Sequence, residues 1–358
     1  KPILFLLNPE TVHTSAIRLG EWLGRSKLAK KIISCLFSRT NPKLQQKLFG
    51  LKFNLPVGLA AGFDYEARLT QILPALGFGF GTVGTITNEP YAGNARPMLG
   101  RLPESMSLMV NKGFKNPGVA TVLSATEKLN FQIPIGLSLG KTNTENIITQ
   151  ADAVSDIVKS FKAAEASSAP FTYYELNISC PNLKGSVEFY EPTHLQELLT
   201  AIQNLNIKKP VWVKMPISKT DTEIEAMLEI ITGFPFVQAV VIGNLQRDRN
   251  HPTLKLREVN NFEKGNFSGL ACKERSDELI ALVYKKYGSK IKIVGCGGIF
   301  NAEDAYKKIT LGASLVELIT GMIYEGPQLI TQINSELTEC LVKDGFRNIS
   351  EAVGSRNR

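Results

Sequence analysis

"KIKIVGCGGIFNAEDAYKKITLGASLVELITG", residues 290–321, holds two short runs rich in apolar residues and glycine, 290–298 and 313–321, on either side of a helix-like stretch at 302–309. Strands covered on both faces read as continuous apolar runs, and strands joined through helices form parallel sheets. The same unit recurs upstream. Runs at 55–62, 80–87, 133–140, 172–179, 210–216 and 237–244 alternate with helix-like stretches at 65–76, 117–129, 145–166, 193–205, 221–232 and 273–287, and a last one follows at 326–343. Eight units in succession favour a closed (β/α)8 barrel over an open doubly wound sheet. No G-x-G-x-x-G opens a helix after the first strand, which counts against a dinucleotide-binding Rossmann domain. The glycines of "GFGFGTVG" (77–84) fall at a strand entry and read as packing glycines.

Unusually long connections follow strands two (88–115), four (180–192) and six (244–269) and read as functional loops without regular structure. All three leave strand C-termini, so they share the mouth where barrel chemistry is found. Polar residues and glycines gather at the same ends: Thr85 and Thr87, Ser138 and Lys141, Asn177 and Cys180, Lys214, Asn244, Gly297 and Gly298, Thr320 and Gly321. Each alone is an ordinary turn residue. Their convergence on one rim predicts a ligand site, and the glycines after strands seven and eight are placed to meet a phosphate with backbone N–H groups.

Lys214 stands in the otherwise apolar "VWVKMP". A lysine inside a barrel needs a negative partner, either an anionic ligand such as a reduced flavin ring or a rim carboxylate. The amides of Asn111, Asn177, Asn182 and Asn244 both donate and accept, which suits the edges of a small polar ring. Cys180, in "NISCPN", is a thiol with no histidine beside it in sequence, so a general base near the ordinary thiol range of ~8.5 is preferred to a nucleophile or an inert cysteine.

Composition removes several classes. With 43% hydrophobic and 21% charged residues, the 358-residue chain is globular. Its five cysteines (Cys35, Cys180, Cys272, Cys296, Cys340) form no Cys-x-x-Cys pair, and His13, His194 and His251 stand apart, so a reduced compartment and no metal site are expected. Residues 1–50 carry nine Lys or Arg against two Glu, which accounts for seven of the eight net positive charges. The remainder is nearly neutral, and nucleic acid is not expected as a partner. Within 1–50, Val12, Ala16, Leu19 and Leu23, then Leu28, Ile32 and Leu36, recur at helical spacing, with Trp22 alongside and Lys27, Lys30 and Lys31 opposite. Such a pair either caps the core or lies on an anionic bilayer. No run is long enough to span one. The chain opens on Lys1, so native residues or a targeting sequence can precede it.

The ordered set "GLAAGFD" (58–64), "VGTIT" (83–87), "NKGF" (111–114), "LSLGK" (137–141), "LNISCPN" (176–182), "VKMP" (213–216), "VGCGGI" (294–299) and "GASLVELITG" (312–321) resembles the dihydroorotate dehydrogenases over nearly the whole chain. "NPETVH" (8–13) and the amphipathic pair are similar to the membrane-associated, quinone-using class two members. The resemblance implies oxidation of dihydroorotate to orotate in pyrimidine biosynthesis, with hydride passing to FMN and electrons to a quinone. It divides the chain into a membrane-associating helical segment (1–50) and an FMN-binding barrel (51–358). It implies a base at Cys180 with Lys214 at the flavin. Around the flavin it places Ala60, Ala61, Gly62, Thr85, Ser138, Asn177, Gly243, Gly265, Gly297, Gly298, Ile319, Thr320 and Gly321; around the substrate, Asn111, Lys112, Gly113, Phe114, Asn177, Asn182 and Asn244. A monomer is expected, on the cytoplasmic face of a bacterial inner membrane or on the mitochondrial inner membrane.

The sequence departs from the pattern in places. Cys180 stands where class two members usually have serine, Tyr65 where the family has lysine, and Ser138, Gly243 and Ile319 where it has asparagine, threonine and tyrosine. "NKGF" is one residue shorter than usual. Loss of the lysine removes a cation from beside an anionic substrate, and Lys112 is a candidate to replace it. Two other readings follow: a flavin barrel acting on a different reduced pyrimidine, and a membrane-docked ligand sensor without turnover.

Overall fold

The computed structural model describes residues 2–185 and 187–357. Eight strands, β1 (Val57–Leu59), β2 (Phe80–Ile86), β3 (Ile135–Leu139), β4 (Tyr173–Asn177), β5 (Val211–Met215), β6 (Val237–Ile242), β7 (Lys292–Cys296) and β8 (Leu315–Leu318), lie one inside each apolar run. Each pairs in parallel with its neighbours in sequence, and β8 closes on β1 through Val316↔Val57 and Leu318↔Leu59. The result is a closed barrel.

Period-two alternation fills its interior in layers. At the floor Tyr173 stacks on Trp212 with ring centroids 3.8 Å apart, and Phe80 lies edge-on to Trp212 at 6.0 Å. Gly136 makes room for this layer, since a Cβ there would lie 2.0 Å from the Tyr173 ring. A hairpin of Gln46–Leu48 and Leu51–Phe53 adds Phe53 from below. This hairpin straddles residue 50 and packs with the barrel. Two residues further up β4, β5 and β8, the inward positions are Glu175, Lys214 and Glu317, all buried.

Two sequence expectations change. The helix expected over 65–76 is absent; only a short 3-10 turn, Leu73–Leu76, forms. The Asp64 carboxylate accepts from the N–H groups of Glu66, Arg68 and Leu69 at 3.3, 3.0 and 2.8 Å, so a side chain takes the place of carbonyls from a preceding turn. The long connections after strands two and six are not structureless. They supply Leu99–Leu102, Ser107–Val110 and Asn266–Gly269 to a separate three-stranded antiparallel sheet beside the mouth.

Helices α1 (Pro2–Leu6), α2 (Pro9–Arg25) and α3 (Lys27–Phe37) lie over the mouth. Asn8 caps α2 by accepting from Glu10 N at 2.9 Å, and Ser26 caps α3 by accepting from Ala29 N at 3.2 Å. Gly20 and Gly24 on α2 let it approach the 69–72 segment; a Cβ at Gly20 would stand 2.4 Å from Leu69 Cδ2. Polar ties complete the attachment. Glu10 Oε1 accepts from Met98 N at 3.0 Å, and Arg68 Nε donates to Glu21 Oε2 at 2.6 Å.

Candidate active site

A cavity of about 720 Å³ runs from the strand ends of the barrel to the space beneath α1–α3. Its inner end is polar and its outer end apolar. Thr85, Asn177, Cys180, Asn182, Lys214 and Asn244 border the inner end, with Gly113 and Phe114 on the connection after β2. Leu4, Val12, Ala16, Leu19 and Leu23 border the outer end. A smaller cavity of about 100 Å³ adjoins it and is walled by Ala60, Gly243, Gly297, Gly298 and Gly321. Ala61, Lys214, Ile319 and Thr320 face both cavities; Gly62 and Lys112 face the larger.

Five of the residues singled out in the sequence line neither cavity: Thr87, whose hydroxyl donates to Glu89 O and accepts from Asn116, Lys141, which donates to Lys184 O, and Asn111, Ser138 and Gly265. Asn111 accepts at Oδ1 from Asn94 Nδ2 at 3.1 Å and sits behind the wall. Ser138 is buried one layer below, hydrogen-bonded to Thr85 Oγ1 at 2.9 Å and donating to Glu175 Oε1 at 2.7 Å. Gly265 lies at the edge of the three-stranded sheet against Met109, and Ser268 from the same connection borders the cavity instead.

The inner amides are held by one another. Asn177 Nδ2 donates to Thr85 Oγ1 at 2.8 Å, and its Oδ1 accepts from Ser179 Oγ at 3.1 Å, while Asn244 Nδ2 donates to that same hydroxyl. Asn182 donates to Val110 O at 3.0 Å and accepts from Asn266 at 2.7 Å. Asn94, which also donates to Asn182 O at 2.9 Å, and Asn143 join the loops after β2, β3 and β4. Nothing in the sequence marks Asn94 or Asn143 apart from their being amides in long connections.

Lys214 finds its negative partners inside the protein. Its Nζ donates to Glu317 at 3.1 Å and stands 3.7 Å from Glu175, but these carboxylates belong to the barrel interior and not to the rim. Burial works to depress the ammonium, and the two carboxylates outweigh it and hold Lys214 above the ordinary lysine range. Burial raises Glu175 in turn, with the Lys214 cation opposing. Glu175 Oε2 and Glu317 Oε2 make no hydrogen bond among the described residues. The ammonium has three donors, uses one in a hydrogen bond to protein, and faces both cavities.

Cys180 corrects the expected thiol chemistry. Burial pushes its pKa up to about 12, against the smaller lowering effects of the Asn182 N–H and the Lys141 cation. Lys141 reaches the same loop and donates to Lys184 O at 3.2 Å. The resting group is therefore a thiol and not a ready thiolate. Farther along the cavity, His13 Nε2 lies 2.8 Å from Phe63 O, and burial with the nearby Lys112 cation brings its pKa down to about 4.

A cavity polar at one end and greasy at the other, in a parallel barrel, is that of an enzyme which meets a polar and an apolar partner in turn. Comparison with known proteins narrows this class. Residues 43–341 match the family model described as dihydroorotate dehydrogenase, and the chain belongs to that family. It is 34% identical, over 99% of its length and 96% of the relative, to "Dihydroorotate dehydrogenase (quinone)" of Nostoc sp., and 33% identical, over 99% and 97%, to the protein so named in Haloarcula marismortui. Its fold superposes on a crystal structure of DHODH in complex with ferulenol from Eimeria tenella with a TM-score of 0.87, at 27% identity and 99% coverage of both chains. The ligand-free type from the same organism gives 0.81 at 28% identity, covering 93% of this chain and 99% of that one.

FMN is the cofactor of this family, and the residues present fit it. A Cβ at Gly298 would lie 2.3 Å from Lys273 Cβ, and one at Gly321 would lie 2.0 Å from Ile299 O, so both stay bare backbone that a phosphate can approach closely. Lys214, with donors to spare between the two cavities, suits an electron-rich ring edge.

Proposed function

We propose that this chain oxidises dihydroorotate to orotate and delivers the electrons to a quinone. The observation that carries the reading is the single cavity joining a thiol, a buried lysine and a wall of amides to an apolar passage beneath α1–α3. Dihydroorotate loses a proton from the carbon beside its ring carbonyl and a hydride from the next carbon. Bound FMN would supply the hydride acceptor and the route of the electrons onward. Cys180 Sγ takes the proton, and Lys141 favours the thiolate this requires. Asn177, Asn182 and Asn244 orient the ring through amides already fixed by their neighbours, so little ordering remains to be done on binding. Lys214 offers charge where the reduced cofactor would be electron-rich. The apolar wall of α2 excludes water from the inner end and admits a hydrophobic ring and tail.

The helices at the mouth bring the enzyme to the membrane that holds the quinone. Leu6, Trp22, Leu28, Ile32 and Leu36 are exposed on α1–α3, among Lys27, Lys30 and Lys31. Apolar side chains ringed by lysines suit a peripheral position on an anionic bilayer, and among the described residues no helix is long and apolar enough to cross one. The assignment extends to a monomer on the cytoplasmic face of a bacterial inner membrane, or on the mitochondrial inner membrane in a eukaryote. The direct test is orotate formation by purified protein supplied with dihydroorotate and a short-chain quinone. A flavin-loaded protein that dihydroorotate fails to bleach would overturn the reading.

A further inference from the structure

Lys112 is 8% exposed, lines the large cavity, and among the described residues makes neither a hydrogen bond through Nζ nor an ion pair. Its ammonium instead lies 4.4 Å from the centre of the Tyr65 ring. A buried cation resting on an aromatic face retains part of the stabilisation it had in water, and Glu10 attracts it only from a distance, with no ion pair between them among the described residues. The charged and titratable groups around it do not supply the missing anion. From α2, His13 is held neutral and Glu10 is already engaged by Met98 N at 3.0 Å and Arg96 Nε at 3.4 Å. Tyr65 donates its hydroxyl to Gly62 O at 2.5 Å, and Lys115, on the same segment as Lys112, adds a like charge. An enclosed, unpaired cation at the edge of a ligand cavity is a place for a ligand's negative group.

We propose that Lys112, held over Tyr65, is the specificity-determining cation that receives the carboxylate of the substrate. The assignment rests on the dihydroorotate reading above and deepens it. The hydroxyl-to-carbonyl bond fixes the Tyr65 ring as a platform, and the ring fixes the direction of the lysine. Burial and Lys115, opposed in part by Glu10, bring the Lys112 pKa down to about 7. An anion seated against it favours the protonated form, so binding takes up a proton near neutral pH, and affinity falls as pH rises above the pKa of the free site.

Orotate binding to the flavin-loaded protein, followed by the change in flavin absorbance, tests this together with calorimetry in two buffers of different ionisation enthalpy. For the wild type, Kd for orotate should rise about 20-fold from about pH 6.5 to about pH 8.5, with proton uptake between, while uracil, which lacks the carboxylate, shows neither. Lys112→Met should weaken orotate binding by about 10- to 100-fold at the lower pH and flatten the profile. Lys112→Arg should bind orotate with no fall in affinity across this range. Orotate binding that Lys112→Met leaves intact, or a flat wild-type profile, removes the assignment and leaves the dihydroorotate reading standing. Failure of the wild type to bind orotate at any pH removes both.

Discussion

With its pKa pushed up to about 12, Cys180 makes the rate of substrate oxidation a direct readout of a rare ionisation. At about pH 8 only about one site in ten thousand carries the thiolate, against roughly one in four for an unperturbed thiol of ~8.5. The difference is a factor of about 2,500, or about 4–5 kcal/mol, added to the barrier of the proton-abstraction step. The same burial leaves a strong base once it is formed. Anaerobic rapid mixing with dihydroorotate held at saturation at every pH, following the loss of flavin absorbance, measures this step apart from both substrate binding and quinone reduction. From about pH 7 to about pH 10 the logarithm of the rate should climb with a slope near one and reach no plateau. Cys180→Ala should lose about 10²- to 10⁴-fold and the slope with it, while flavin stays bound. A plateau near pH 8 in the wild type would refute the burial reasoning, and an alanine variant with undiminished rate would refute the base itself.

Lys214→Met strands the buried carboxylates of Glu175 and Glu317, and denaturant unfolding should show a loss of about 3–5 kcal/mol; adding Glu175→Gln and Glu317→Gln should restore much of it. Lys112 acts in the opposite sense in the ligand-free protein. Its folded pKa of about 7 lies below the ordinary lysine value of 10.5, so the unfolded chain binds the extra proton and stability rises with pH between these values. Lys112→Met removes that penalty and should stabilise the apoprotein by up to about 5 kcal/mol at about pH 7 and by less at about pH 9, read by thermal melting. Replacing Trp22, Leu28 and Leu36 by serine should cut partitioning onto anionic lipid vesicles by at least about tenfold, with turnover of a water-soluble quinone unchanged.

The chain's local pattern determined the strands and the end of the barrel at which chemistry sits. A strand covered on both sides has to be apolar throughout, so each of the eight runs announced itself, and the glycines and amides at their C-terminal ends marked the mouth. Pattern also identified Lys214 as a charge out of place. Its partners carried the same signal, since "YYELN" and "LVELI" each bury a glutamate in an apolar strand, but they lie 39 and 103 positions away in sequence. Only closure of the ring brings Glu175 from the neighbouring strand and Glu317 from across the barrel to one height beside Lys214. The absent helix after β1 was decided in the same way, by the Asp64 carboxylate turning back on the chain, and so was the sheet built from two connections that read as loops. Tertiary enclosure alone decided the electrostatics. The thiol at Cys180 and the ammonium at Lys112 have ordinary intrinsic acidities; removal of water moves the thiol up to about 12 against the pull of Lys141, and removal of water together with Lys115 moves the ammonium down to about 7.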